Sequence, residues 1–128
     1  MKDVFKILEQ SHKAQWQKMV PISAAEYPNS QWQALNLIET SAQIMLKRIS
    51  SALPRGFSEN IKEVKMDLLE KPGSGEKLFI KAQVYPAGKK QQTLKIFVHE
   101  IAPNGKAIKL AKAYYSVEIA PVINNRVA

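Results

Sequence analysis

The chain has 128 residues and a mass of 14.4 kDa, one domain's worth of sequence. Hydrophobic residues make up 45% and charged residues 23%, ordinary globular usage that excludes wholesale disorder. There is no cysteine, so disulfides, thiolate metal sites and a cysteine nucleophile are excluded, and nineteen Lys and Arg against eleven Asp and Glu give a net charge of +8.

No stretch approaches the ~20 apolar residues that cross a bilayer. The opening Met1-Lys2-Asp3-Val4-Phe5 has neither a long apolar run nor a cleavage site, so a soluble, cytoplasmic protein is expected. The positive excess is uneven: from Lys77 to Tyr115 there are eight lysines and one acid, Glu100. Such a patch suits nucleic acid, a phosphorylated cofactor or an acidic protein, or simply a solvated face that maintains solubility.

Val4, Phe5, Leu8 and His12 fall at helical spacing and predict a short helix over residues 1–12. Trp16 to Ile22 reads as a strand, with Pro21 marking an edge position or its end. Pro28-Asn29-Ser30 is a turn into a helix that Asn29 or Ser30 could cap. From about Gln31 to Leu53 the pattern is helical: Leu35, Ile38, Ala42, Met45 and Ile49 form one apolar stripe opposite Asn36, Thr40, Gln43 and Lys47. Pro54-Arg55-Gly56 ends this helix, which its apolar surface predicts to be buried against a sheet.

The period then changes to 2. Val64, Met66 and Leu68 alternate with Glu63, Lys65 and Asp67 before the turn Pro72-Gly73-Ser74-Gly75. Leu78, Ile80, Ala82 and Val84 form the next inward set, and Leu94, Ile96 and Val98 the one after the Pro86-Ala87-Gly88 loop. Pro103-Asn104-Gly105 leads into a last strand, 107–119, with Ala111, Ala113, Tyr115 and Val117 on one face. Short loops predict that the four strands after the helix form an antiparallel meander, and the whole an α+β domain spanning 1–128 with a flexible tail at 120–128.

This order, one nearly all-apolar helix wrapped by a curved antiparallel sheet of about five strands, resembles the hotdog fold. Leu37-Ile38-Glu39-Thr40-Ser41-Ala42-Gln43 resembles the central-helix segment of hotdog 3-hydroxyacyl-carrier-protein dehydratases. Leu53-Pro54-Arg55-Gly56-Phe57, with Glu63-Val64 and the Pro72-Gly73 turn, is similar to the helix exit and second strand of small acyl-CoA thioesterases of the fluoroacetyl-CoA kind. The resemblance implies an acyl-thioester protein in which Glu39 is the working carboxylate, half-buried and acting as general acid or base. Taken by itself, a glutamate near a helix start is ordinarily solvated.

The resemblance further implies substrate contacts from Tyr27, Trp32, Asn36, Thr40 and Gln43, and phosphate contacts from Arg55, Lys89 and Lys90. The family histidines are missing: the loop before the helix reads Ala25-Glu26-Tyr27-Pro28-Asn29, and the second strand offers Met66 or Leu68. Glu26 could replace the loop histidine as one of a carboxylate pair with Glu39. A thioesterase is favoured over a dehydratase, since hydrolysis needs one carboxylate and dehydration normally two proton-handling groups. A non-catalytic acyl-thioester binder that has lost the histidines is a further alternative.

The partners implied are acyl-CoA or acyl carrier protein and a second copy of the chain, as a homodimer or dimer of dimers; Phe79, Phe97 and Tyr115 would offer outer-face apolar surface for it. His99 is expected on the outer face with Lys95 and Phe97. No ligand spacing suggests a metal, and no cofactor is expected. A nucleic-acid module remains the third class, with Phe79, Tyr85, Phe97, Tyr114 and Tyr115 interleaved among lysines, although no recognised binding motif supports it.

Overall fold

The computed structural model describes residues 3–122. Its elements run α1 (Val4–Gln10), β1 (Gln15–Pro21), α2 (Ser30–Ala52), β2 (Phe57–Leu68), β3 (Lys77–Pro86), β4 (Gln91–Ile101) and β5 (Ala107–Pro121). Among the described residues no helix is long and apolar enough to cross a membrane. The expected tail at 120–128 begins with the end of β5, and 123–128 lie outside the described residues.

The five strands form one antiparallel sheet in the order β1-β3-β4-β5-β2. Alternation on β3, β4 and the length of β5 after Ala111 turns Leu78, Ile80, Ala82, Val84, Leu94, Ile96, Val98, Ala113 and Val117 onto one face, where all are buried. Helix α2 lies across that face and buries Ala34, Ile38, Ala42, Met45 and Ile49 against it. The Asn29 side chain caps α2 by accepting from the Trp32 N–H at 3.1 Å. The Ser30 hydroxyl donates instead to the Glu100 carboxylate.

Three expectations are corrected. His12 is not part of α1: the helix ends at Gln10, and His12 sits exposed in the following turn with φ 56°. The meander has three strands, not four, because β2 pairs with β5 instead of β3. Segment 69–76 can reach, since three strand spacings of ~4.8 Å are well within its extended span of ~3.3 Å per residue. It is held on the way by the Leu69 and Glu70 N–H groups, which donate to Leu110 and Lys109, and by Glu76, which donates to Ile101.

Tyr115 is the third. Phe79 and Phe97 face outward, but Tyr115 faces the core side with Ala111 and Ala113 and is 8% exposed. A β-bulge opposite Val98 and His99 turns Leu110 and Ala111 both inward, and that switch sets the phase of the rest of β5. The outer face keeps Tyr114 instead, edge-on to Phe97 with ring centroids 6.3 Å apart. Lys95 lies over the rings of Tyr85 and Tyr114, Lys109 over Phe97 and Lys112 over Tyr114, at 4.7–5.7 Å.

Candidate active site

Trp32, Leu35, Asn36 and Glu39 recur at the spacing that aligns side chains along one helix face. That face of α2 is turned away from the core and toward β2, where it forms one wall of a cleft of about 610 Å³. Tyr27 and Pro28 close its end, and Met66 of β2 and Tyr115 of β5 form the sheet wall. Met66 pairs with Ala113 and Val64 with Tyr115, which makes Met66 and Tyr115 diagonal neighbours on the inner face.

The walls are fixed by polar contacts from the start of α2. Gln33, buried on α2, accepts from the Ser23 N–H at 2.9 Å and donates to the Pro21 carbonyl at 2.9 Å, pinning the loop that carries Tyr27 and Pro28. Gln31 donates to the Glu70 carbonyl at 2.6 Å and ties the segment after β2 to the same helix end.

Of the expected site residues, the structure brings Tyr27, Trp32, Asn36 and Glu39 together in this cleft. Thr40 and Gln43 do not line it: Thr40 turns its hydroxyl back to the Asn36 carbonyl at 3.0 Å, and both are exposed. Glu39 is exposed where half-burial was expected, because among the described residues no other element covers the open side of the cleft. Glu26 is exposed on its turn and is not part of the cleft, so no carboxylate pair forms there.

Arg55, Lys89 and Lys90 are exposed near the last turn of α2, remote from Trp32. There the Lys90 carbonyl accepts from Ile119 and the Gly56 carbonyl from Val122. Along the helix, Glu39 and Ala52 are separated by about 20 Å at ~1.5 Å per residue.

Met66 stands where the resemblance put the second-strand histidine; Pro28, Leu35 and Tyr115 were not anticipated as cleft residues. The Tyr115 phenol is pushed above its ordinary value, first by burial and second by the negative charge of Glu39, so the carboxylate lies within electrostatic reach of the ring. Its hydroxyl takes part in no hydrogen bond among the described residues. The alternation of Ala111, Ala113, Tyr115 and Val117 carried the signal for its orientation.

His99 is on the outer face, as expected, with a buried Nδ1 that has no hydrogen-bond partner among the described residues. Burial, and then the charge of Lys109, lowers its pKa below the usual histidine value. Among the described residues no three His, Asp or Glu side chains gather as metal ligands would.

The architecture is that of the hot-dog fold. No family model matches the sequence, and no curated sequence does. Solved structures match its fold. A thioesterase from Haemophilus influenzae is similar over 89% of this chain and 77% of its own, with a TM-score of 0.56 and 14% identity. A 4-hydroxybenzoyl-CoA thioesterase variant complexed with 4-hydroxybenzoyl-CoA matches over 88% and 89% of the two chains, with a TM-score of 0.59 and 12% identity. A hot-dog-like protein from Thermanaerovibrio acidaminovorans covers 84% of this chain and 82% of its own, at TM-score 0.55 and 15% identity. At these identities the likeness is one of fold.

Proposed function

We propose that the cleft takes the acyl part of an acyl thioester and that the protein is a thioester hydrolase. One observation carries the reading: Glu39 is the single acid among the eight described residues lining an otherwise mainly apolar and aromatic cleft. Such a carboxylate takes a proton from water as the water oxygen attacks the carbonyl carbon. The C–S bond then breaks, the proton passes to the thiolate, and a carboxylic acid and a thiol leave. Aromatic walls from Tyr27, Trp32 and Tyr115 suit a short or aryl acyl group. The fold shared with a 4-hydroxybenzoyl-CoA thioesterase supports the thioester class.

The carrier is coenzyme A or an acyl carrier protein, in the cytoplasm. Arg55, Lys89 and Lys90 supply positive charge for its phosphates, at the far end of α2. A homodimer completes the site. Strand β2 is an edge strand, and Ile61, Val64, Met66 and Leu68 on it are 43–54% exposed beside the open side of the cleft. Pairing two β2 edges covers that surface.

A second reading is a binder without turnover. Met66 favours it, since a thioether on the sheet wall cannot move a proton. The experiment is thiol release from butyryl-, octanoyl-, palmitoyl- and benzoyl-CoA, with binding followed on the same samples. Hydrolysis that is lost in Glu39→Gln, with the fold and affinity retained, supports the hydrolase. Binding with no thiol release supports the binder, and enoyl absorbance from a 3-hydroxyacyl thioester would identify a dehydratase instead.

A further inference from the structure

We infer that Tyr115 is the catalytic hydrogen-bond donor of this site, its hydroxyl binding the thioester carbonyl oxygen while Glu39 directs the attacking water. The inference rests on the acyl-thioester reading above. Three features of the structure carry it.

The first is position. Glu39 stands on the helix wall and Tyr115 on the sheet wall of the same cleft, so a carbonyl lying between them meets a base on one side and a donor on the other. The second is rigidity. Tyr115 is in the interior of β5, paired with Leu94 of β4 on one side and Val64 of β2 on the other, and is 8% exposed. A donor held that way needs little reorganisation when charge develops on the carbonyl oxygen. The third is availability. The hydroxyl has no hydrogen-bond partner among the described residues and is not sealed from the cleft. The Trp32 N–H at the helix start, another donor near the cleft, is taken up by the Asn29 cap.

Burial and the Glu39 charge both favour the neutral phenol, which keeps the donor protonated in neutral solution. In the step itself the water oxygen bonds to the carbonyl carbon as Glu39 accepts the water proton. The carbonyl electron pair moves to oxygen, where the Tyr115 O–H stabilises it. Collapse of this oxyanion breaks the C–S bond, and Glu39 returns the proton to the departing thiolate. Water is the only co-reactant.

Tyr115→Phe removes one oxygen and leaves the packing. Its kcat on the best substrate of the CoA panel should fall about 10²–10³-fold, as loss of one oxyanion donor does, with KM changed by no more than about threefold. A second readout does not need turnover: the carbon-13 shift of the ketone in S-phenacyl-CoA, a non-hydrolysable thioether, bound to each protein. A downfield shift in the native protein that disappears in a folded Tyr115→Phe variant establishes the hydrogen bond. The same shift in both proteins, or Tyr115→Phe turnover within about threefold of native while Glu39→Gln is dead, overturns the inference and leaves the hydrolase reading standing. If the native protein neither binds the ketone nor hydrolyses any thioester, both fall together.

Discussion

The Ser30 hydroxyl, in the first turn of α2, donates to the buried carboxylate of Glu100 at the end of β4 across 2.8 Å. The other carboxylate oxygen accepts the Gly73 N–H at 2.6 Å. Glu100 is 1% exposed and thus joins three parts of the chain: the helix start, the central sheet and the segment that crosses from β2 to β3. Removing it leaves two donors without their acceptor and a gap beside them. Glu100→Ala should cost about 2–4 kcal/mol in urea unfolding, and Glu100→Gln, which keeps one acceptor, about 1–2 kcal/mol. Equal stability of all three proteins would show that water replaces the carboxylate.

Gly75 lies against the same side chain. A Cβ there would overlap Glu100 Cγ and come within 3.1 Å of the Ile101 carbonyl oxygen. Glu100 cannot swing aside without giving up Ser30 and Gly73, so Gly75→Ala should destabilise by about 1–3 kcal/mol. The double variant Gly75→Ala/Glu100→Ala should be less destabilised than the sum of the singles, a coupling readable from the same unfolding curves.

His99 predicts a pH dependence. Its folded pKa is lowered, first by burial and second by Lys109, so the unfolded chain takes up the proton first as pH falls. The stability this neutral imidazole contributes is full above about pH 6.5 and is lost as pH falls through the lowered folded value. Urea midpoints measured from pH 8 down to pH 5 should decline, and His99→Asn should flatten part of that decline. An unchanged slope in the variant would place the effect in other groups.

Strand β2 leaves Val64 and Leu68 exposed on its inner face, at 46% and 54%. Sedimentation should show a dimer for the native chain and a monomer for Val64→Lys/Leu68→Lys, because two lysines per chain would be buried at an apolar edge. A native monomer at micromolar concentration would remove the proposed interface.

Trp32 is 58% exposed on the cleft rim, so its truncation leaves the core intact. Trp32→Ala should change stability by no more than about 0.5 kcal/mol. Binding of benzoyl-CoA should weaken about tenfold, the loss of an aromatic contact, while butyryl-CoA is affected less. Equal losses for both ligands would mean that Trp32 does not contact the acyl group.

The helix wall of the cleft is local, and its layout was legible in the sequence. The family resemblance singled out Trp32, Asn36 and Glu39, and a 3.6-residue period after a capped start sets the three along one face of α2. Thr40 and Gln43 lie on the neighbouring polar strip, and the direction in which the cleft opens excludes them. That direction depends on β2, whose neighbour in the sheet is nonlocal. The Pro72–Gly75 turn looks like a hairpin in sequence, and only the contacts of Glu100, Gln31 and Leu110 reveal it as a crossing.

The helix, the strand alternation and the tight turn at Pro103-Asn104-Gly105, where Gly105 takes φ +84°, are all readable from the residues in order. Each of these is decided by neighbours a few residues apart, through side-chain periodicity and turn chemistry. That β2 borders β5, that Glu100 is a buried joint and that Tyr115 faces Glu39 across a cleft follows from long-range packing alone. Strand pairing joins residues far apart in the chain, and one bulged residue in β5 reverses which side chains turn inward.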